Sequence, residues 1–541
     1  MEHFGILGII PPVLTIILAF ATKDVIVSLF LGIVSGALIA AGGNPFMALM
    51  RFTDLIADSL ADGWNIRIFL FCALLGGLVG MLTKTGAAGA FGRWASAKLK
   101  TRTSSQFMTA VFGIIIFIDD YFNSLSVGTV MRPICDKTRV SRAKLAYILD
   151  STAAPICILA PISSWVVTVM SIIRDAQGFE KLGMSEFQFF IRAIPYNLYA
   201  LLALLLVFAV IFLKRDFGPM KRSEELAARG TLYNEALYGP ASGAEETAAN
   251  KAAKPADMLF PIIVLIISAV VFFPVTTWLA AINGGDVSSL SDAARSMTLG
   301  EAFNNTDSSV ALCYAVVFTI TATYIYYLAR RLLTLKEAGE ALRGGINSMA
   351  PALIILAMAW AIGTIIKAAP EEGGLGLGVY LSELVRGGGF PVWILPAVMF
   401  IVSAVISFAT GTSWGTFGIM LPIALPIITT LAEANGMAQD MLVHASMIVC
   451  AAVIGGAVFG DHASPISDTT ILSSTGASCP HLEHVATQMP YAMFSAVCAC
   501  VGFIFGGIFL SLGAAWISAL AVFAAGLLVL PALMDKIKQK G

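Results

Sequence analysis

Four polar strings interrupt long apolar runs, and each concentrates oxygen-bearing side chains. "IDDYFNSLSVGT" supplies Asp119, Asp120, Asn123, Ser126 and Thr129. "DSTAAPICILAPISS" supplies Asp150, Ser151, Thr152, Ser163 and Ser164, with Trp165 next in line. "ATGTSWGT" supplies Thr410, Thr412, Ser413 and Thr416 around Trp414. "GDHASPISDTT" supplies Asp461, His462, Ser464, Ser467, Asp468, Thr469 and Thr470. A carboxylate inside an apolar span costs about 3 kcal/mol or more unless it finds partners or water. Pro and Gly break a helix there and free carbonyls and amides. Those carbonyls, with Asp, Asn, Ser and Thr oxygens, form a cage suited to a small hard cation such as Na+. Carboxylates held close together repel, so one of them can keep a proton near neutral pH. A cluster that takes either H+ or a metal cation has the minimum chemistry of an exchanger.

Asp119, Asp120, Asn123, Asp150, Ser151, Thr152, Asp461, His462, Ser464, Asp468 and Thr469 are therefore the candidates to hold a cation or a proton, with Na+ at a subset. Asp150 and Asp461 are expected at paired positions on the two breaks. Ser126, Thr129, Ser163, Ser164, Trp165, Thr410, Thr412, Ser413 and Trp414 are candidates to line an organic substrate. The rings of Trp165, Tyr121, Phe122, Phe408 and Trp414 can wall such a molecule or simply pack a core. Plainer roles compete at other positions. Asp150 and Asp461 can cap half-helices. One of Asp119 and Asp120 can face an aqueous lip. His462 can be a packed histidine, and Ser163 and Ser164 can bond back to their own helix.

Two motifs carry less than they suggest. "GTSWG" matches a serine-hydrolase elbow, but that motif needs a strand–turn–helix, and its surroundings here are apolar runs. The chain is not expected to be an enzyme. "HLEH" (His481–His484) has helical spacing but lacks a third ligand, and is expected to be a polar loop. Gly32/Gly36 and Gly76/Gly80 are spaced for close helix packing.

The elements that hold these strings follow from composition. Of 541 residues 58% are hydrophobic and 12% charged, at net charge −1, with mean hydropathy +0.85. That is an all-α polytopic membrane protein in a lipid bilayer, with no signal for nucleic acid. The eight cysteines fall mostly in apolar runs and resemble buried hydrophobes, not a disulfide framework. Residues 1–22 have no basic leader and are expected to be a retained first span. Apolar runs predict spans at 5–21, 25–42, 67–83, 145–173, 190–213, 258–282, 309–329, 345–367, 443–472, 490–512 and 514–534. Interrupted stretches at 104–133 and 390–430 predict two re-entrant hairpins, giving about 11 full spans plus two hairpins. The segment 214–257 is expected to be a mobile connector.

Basic loops at 84–105 and 131–144 place those ends in the cytoplasm, and acidic loops at 283–308 and 368–389 face outside. The connector and the basic tail "MDKIKQKG" are then cytoplasmic. "SVGTV" (Ser126–Val130) matches "SWGTF" (Ser413–Phe417), and "GMLTK" (Gly80–Lys84) matches "GTIIK" (Gly363–Lys367). With the loop charges, these matches predict two inverted repeats, 1–213 and 258–513, with 514–541 an extra span and tail.

The string "GDHASPISDTTILSSTGASCPHLEHVATQMPYA" closely resembles the signature region of the NhaC Na+/H+ antiporter family. "DDYFNSLSVGTVMRP" and "KLAYILDSTAAP" look like its first-half counterparts, and the resemblance covers roughly residues 1–535. It implies a secondary transporter of the bacterial cell membrane, with inverted repeats, paired hairpins and often a dimer-forming scaffold, hence a homodimer as one assembly. Na+ and H+ are the implied coupling ions, with no other cofactor. Family members include Na+/H+ exchangers, malate/lactate exchangers and Na+-coupled amino-acid carriers, so an organic substrate stays open as the alternative. A cation channel is the other class; it would keep a continuous polar pore.

Overall fold

The computed structural model describes residues 3–22, 24–96, 99–241, 252–285, 287–377, 379–380, 391–465 and 467–540. These residues are almost entirely helical, with no strand among them. Among the described residues eight helices are long and apolar enough to cross a membrane, or up to ten when each of two bent pairs counts as one span. The polytopic, all-helical expectation holds, but the list of spans changes. The two N-terminal runs form short helices, Ile10–Thr22 and Val25–Ala40. An amphipathic helix absent from that list, Pro45–Ala61, starts from the Asn44 cap. Its charges kept it below span-grade hydropathy.

Outside the centre, Gly63–Lys84 packs on Leu335–Ser348. A Cβ on Gly76 would lie 2.6 Å from the Gly345 carbonyl oxygen, so this crossing needs a residue without a side chain. The eight cysteines are all free.

The centre is made of broken helices. Arg102–Ile115 (α1) stops before Asp120–Lys137 (α2) begins. Arg142–Cys157 (α3) follows, capped by Ser141, and every residue from Ala143 to Cys157 is buried. After a break holding Pro161, the hydroxyl of Ser163 caps Ser164–Asp175 (α4). Leu198–Leu213 (α5) leads into the connector, whose first part forms Gly218–Ala228 (α6). In the later half, Leu395–Thr410 (α7) ends at Gly411, whose φ of +70° is the left-handed stop glycine tolerates. Thr412 caps Ser413–Ala434 (α8). Gln439–Ala463 (α9) breaks at Ser464, and Ser467 caps Asp468–Ala477 (α10). His481–Phe509 (α11) closes the set.

Thus the expected spans 145–173 and 443–472 are each two helices, because each holds a Pro followed by a capping serine. α2 packs on α10 and α4 on α8, so each half lays a short helix against the other. At the first crossing a Cβ on Gly128 would meet the Gly476 backbone at 2.6 Å.

The connector is not a free tether over its first part. Ser223 Oγ donates to Glu483 at 2.7 Å, and Glu483 also accepts from Asn234 N at 2.9 Å. Glu224 accepts from Arg102 at 2.7 Å and from Ser141 N at 2.8 Å. Composition suggested mobility because these polar groups have no visible partners in sequence; their partners lie on α1, α3 and α11. Residues 242–251 of the connector lie outside the described residues.

Candidate functional site

Two buried carboxylates occupy the centre. Asp461 sits in the last turn of α9, 1% exposed. Its Oδ2 accepts from Ser413 Oγ at 2.7 Å and Ser413 N at 3.3 Å. Its Oδ1 accepts from Ser467 Oγ and from Thr469 Oγ1 at 3.4 Å. Thr470 Oγ1 donates to the Asp461 carbonyl at 3.3 Å. Ser413 opens α8 and Ser467 caps α10, so the positive ends of two helices meet on one carboxylate. Ser464 Oγ donates to Phe408 O at 2.8 Å and ties this break to α7. Asp461 therefore does not cap the helix that follows it in the chain, which Ser467 caps, but it does accept the first N–H of α8.

Asp150 lies in the middle of α3, 0% exposed. Its Oδ2 takes the Gln488 amide at 2.6 Å and His484 Nε2 at 3.2 Å. The same Gln488 amide nitrogen donates to the His462 carbonyl. His462 Nε2 faces Ser151 Oγ at 3.1 Å, and Nδ1 faces the Tyr199 hydroxyl at 2.8 Å. Below this pocket Lys144, wholly buried, pairs with Asp216, which also accepts from the Tyr491 hydroxyl at 2.8 Å. The expected pairing of Asp150 with Asp461 at the breaks fails. Ser163 and Ser467 are the matching caps, each two residues after a proline. Counting back equally from them, Asp461 falls opposite Cys157, while Asp150 lies well inside its helix.

The remaining candidates divide by what they touch. Asp119 and Asp120 are both buried, 6% and 4% exposed, so neither is at an aqueous lip. Trp165 Nε1 donates to Asp120 at 2.9 Å, and its ring lies 6.3 Å from Trp414 and 5.8 Å from Phe417. Asn123 is a staple: its amide donates to the carbonyls of Gly113, Ile116 and Thr152 at 2.7, 3.0 and 3.0 Å. Thr152, Thr129 and Thr410 bond back to their own helices. Ser163 donates to Cys157 O while capping α4. Ser126 is buried, and so is Ser164, whose hydroxyl has no partner. Thr412 caps α8. Asp468 begins α10; its side chain and that of Phe122 lie outside the described residues. Ser413 turns to Asp461 and Ala457 O, and His462 to Ser151 and Tyr199, so Ser413 and His462 do not pair with each other. Among the described residues no three His, Cys, Asp or Glu side chains are placed to hold a metal ion together.

This arrangement of broken helices and buried carboxylates fits the comparisons with known proteins. The family model described as the Na+/H+ antiporter family matches residues 156–508. The chain belongs to this family. Over 540 residues it is 37% identical to an uncharacterised protein of Haemophilus influenzae, covering 98% of this chain and 95% of that one. It is also 31% identical over 147 residues to the malate-2H+/Na+-lactate antiporter of Bacillus subtilis, which is 24% of this chain and 29% of that one. Among solved structures, Neisseria gonorrhoeae MtrF is similar at 13% identity and TM-score 0.47, covering 85% of this chain and 83% of that one. The protein is a multi-pass membrane transporter of the secondary type.

For a member of the Na+/H+ antiporter family, the residues that sequence reasoning missed are His484 and Gln488, which reach Asp150 from elsewhere, and Tyr199, which reaches His462. The "HLEH" stretch is no polar loop, since Glu483 and His484 are 0% exposed at the start of α11. A signal was present. His484 and Gln488 are one helical turn apart and so share a face, in a run whose apolar continuation marks a span.

Proposed function

We propose that the protein exchanges Na+ for H+ across the cell membrane by alternating access, with Na+ carried at Asp461. The observation that carries this reading is the hydroxyl shell of that carboxylate. Ser413, Ser467 and Thr469 donate to it in the described state. A hydroxyl is donor and acceptor alike. Rotation of each O–H turns the shell from donors on a carboxylate into oxygen ligands for a cation, without moving a helix. Asp150 has nitrogen donors in place of hydroxyls, an amide that cannot reverse and an imidazole that can take up a proton, and suits the proton side of the exchange. The parallel of α1–α4 with α7–α10 supports two inverted repeats, 1–213 and 258–513. The loop charges support a cytoplasmic connector and C-terminus.

A second reading, Na+-coupled movement of a small carboxylate or amino acid, is favoured by one feature. Trp165, Trp414 and Phe417 form an aromatic group beside Asp120, where an organic molecule can be walled in. Both readings are tested in proteoliposomes with Na+ and pH gradients set independently. Na+/H+ exchange is expected to give saturable, Na+-driven proton movement without added organic solute. Proton movement that needs an amino acid or dicarboxylate from a panel would favour the second reading. An unsaturable Na+ current would mean a channel.

A further inference from the structure

His484 is a buried titratable group that Na+ binding at Asp461 does not use. Its Nε2 lies 3.2 Å from Asp150 Oδ2, an oxygen that also accepts from Gln488. A carboxylate oxygen in that position is an acceptor, so Nε2 carries the hydrogen and Nδ1 holds the lone pair. Nδ1 is buried and has no partner, and Asp150 Oδ1 and Gln488 Oε1, the second oxygen of that carboxylate and the oxygen of the amide bonded to it, are also unpartnered. Orphaned buried polar atoms are rare in folded proteins and call for an explanation. His462, the other histidine of the centre, has a hydroxyl on each nitrogen and no such vacant lone pair.

We infer that His484 is the residue on which the exchanger carries its proton, an inference that rests on the Na+/H+ reading above. Loading forms an Nδ1–H bond from the ring lone pair, with the proton taken from a hydronium ion that becomes water. Unloading returns the proton to water on the other side. The imidazolium is offset by the Asp150 carboxylate already bonded to its other nitrogen. The titratable and charged groups around it are Asp150, Tyr147 and Lys144 on α3, His462 on α9 and Tyr199 on α5. Asp216 in the connector, His481, Glu483 and Tyr491 on α11, and Cys479 before it are the others among the described residues. Lys144 is neutralised by Asp216, and Glu483 is held by Ser223 and Asn234. Coupling to the cation has a physical route. Gln488 bridges Asp150 to the carbonyl of His462, the residue directly after Asp461. A cation at Asp461 changes the field at the next peptide carbonyl, one of the two acceptors of Gln488, and so bears on the donor set of Asp150.

The test compares wild type with His484→Gln, which keeps an N–H for Asp150 and removes the basic ring nitrogen. In proteoliposomes, protons moved by a Na+ gradient (pyranine fluorescence) are compared with Na+/Na+ exchange at equal Na+ on both sides (22Na+), which needs no proton carrier. The ratio of protons to Na+ is expected to fall about tenfold or more, the scale on which removing one proton-transfer group acts. An unchanged ratio overturns the inference, as does an equal loss of both fluxes in folded protein, which is what a purely structural histidine would give. A wild type that moves no protons would instead sink the Na+/H+ reading itself. Should His484→Gln not fold, infrared difference spectra of wild type with ring-13C histidine settle the point. Na+ addition is expected to remove an imidazolium band, in wild type and equally in His444→Gln, a change at the far end of α9. No such band in folded wild type overturns the inference.

Discussion

Asp461 and Asp150 are the same residue type and equally buried, yet their surroundings are opposite in kind. Asp461 ends a helix, and its shell is hydroxyls at the starts of two others. Asp150 interrupts nothing, and its shell is an amide and an imidazole reaching across from α11. Hydroxyl oxygens can reverse their hydrogen-bond sense and amide nitrogens cannot. The contrast teaches that burial alone does not assign a carboxylate to cation or proton. On the proposed reading, the reversibility of its neighbours does.

The largest effect expected from this contrast is at Asp461. Asp461→Asn should raise the Na+ concentration for half-maximal transport about 30-fold or more, since a hydrogen-bonded charge is worth about 2 kcal/mol. Asp150→Asn should instead change proton coupling more than Na+ affinity. Equal losses of Na+ affinity in 22Na+ uptake would erase the distinction between the two sites.

Next is the support beneath Asp150. Lys144→Met leaves Asp216 in a largely enclosed site without its cation and should cost about 3 kcal/mol. A thermal unfolding midpoint within error of wild type would show that the pair does not hold the pocket.

The two capping serines sharpen the comparison further. Ser163→Ala removes a cap and should cost stability alone, about 1 kcal/mol. Ser467→Ala removes a cap and a bond to Asp461, so Na+ affinity should also fall about fivefold, the worth of roughly 1 kcal/mol. Identical Na+ titrations of the two variants would remove Ser467 from the cation shell. The smallest effect is expected at Trp165. Trp165→Phe keeps the ring but deletes the donor to Asp120, and should cost about 1 kcal/mol in chemical denaturation. A loss of organic-substrate transport in that variant, with Na+/H+ exchange intact, would move the weight to the second reading.

Much of this molecule was legible in its order of residues. Long apolar runs with few charges have no stable home except a bilayer, so helical spans follow without any tertiary contact. Prolines followed by capping serines mark where helices must break, because a missing N–H and a side-chain acceptor act locally. The clustering of Asp, Ser and Thr at those breaks identified Asp461 and its neighbours. What lies across the fold was not legible. The docking of residues 214–241 depends on Glu483 and Arg102, remote in the chain. The role of Asn123 as a staple depends on where α1 and α3 end up. Whether a buried carboxylate meets hydroxyls or an imidazole is set by which helices cross beside it, and His484 and Gln488 come more than 300 residues after Asp150. Local sequence determines hydropathy, breaks and caps because those are interactions within a few residues. The chemistry of Asp150 was decided only by packing, since its partners belong to another helix.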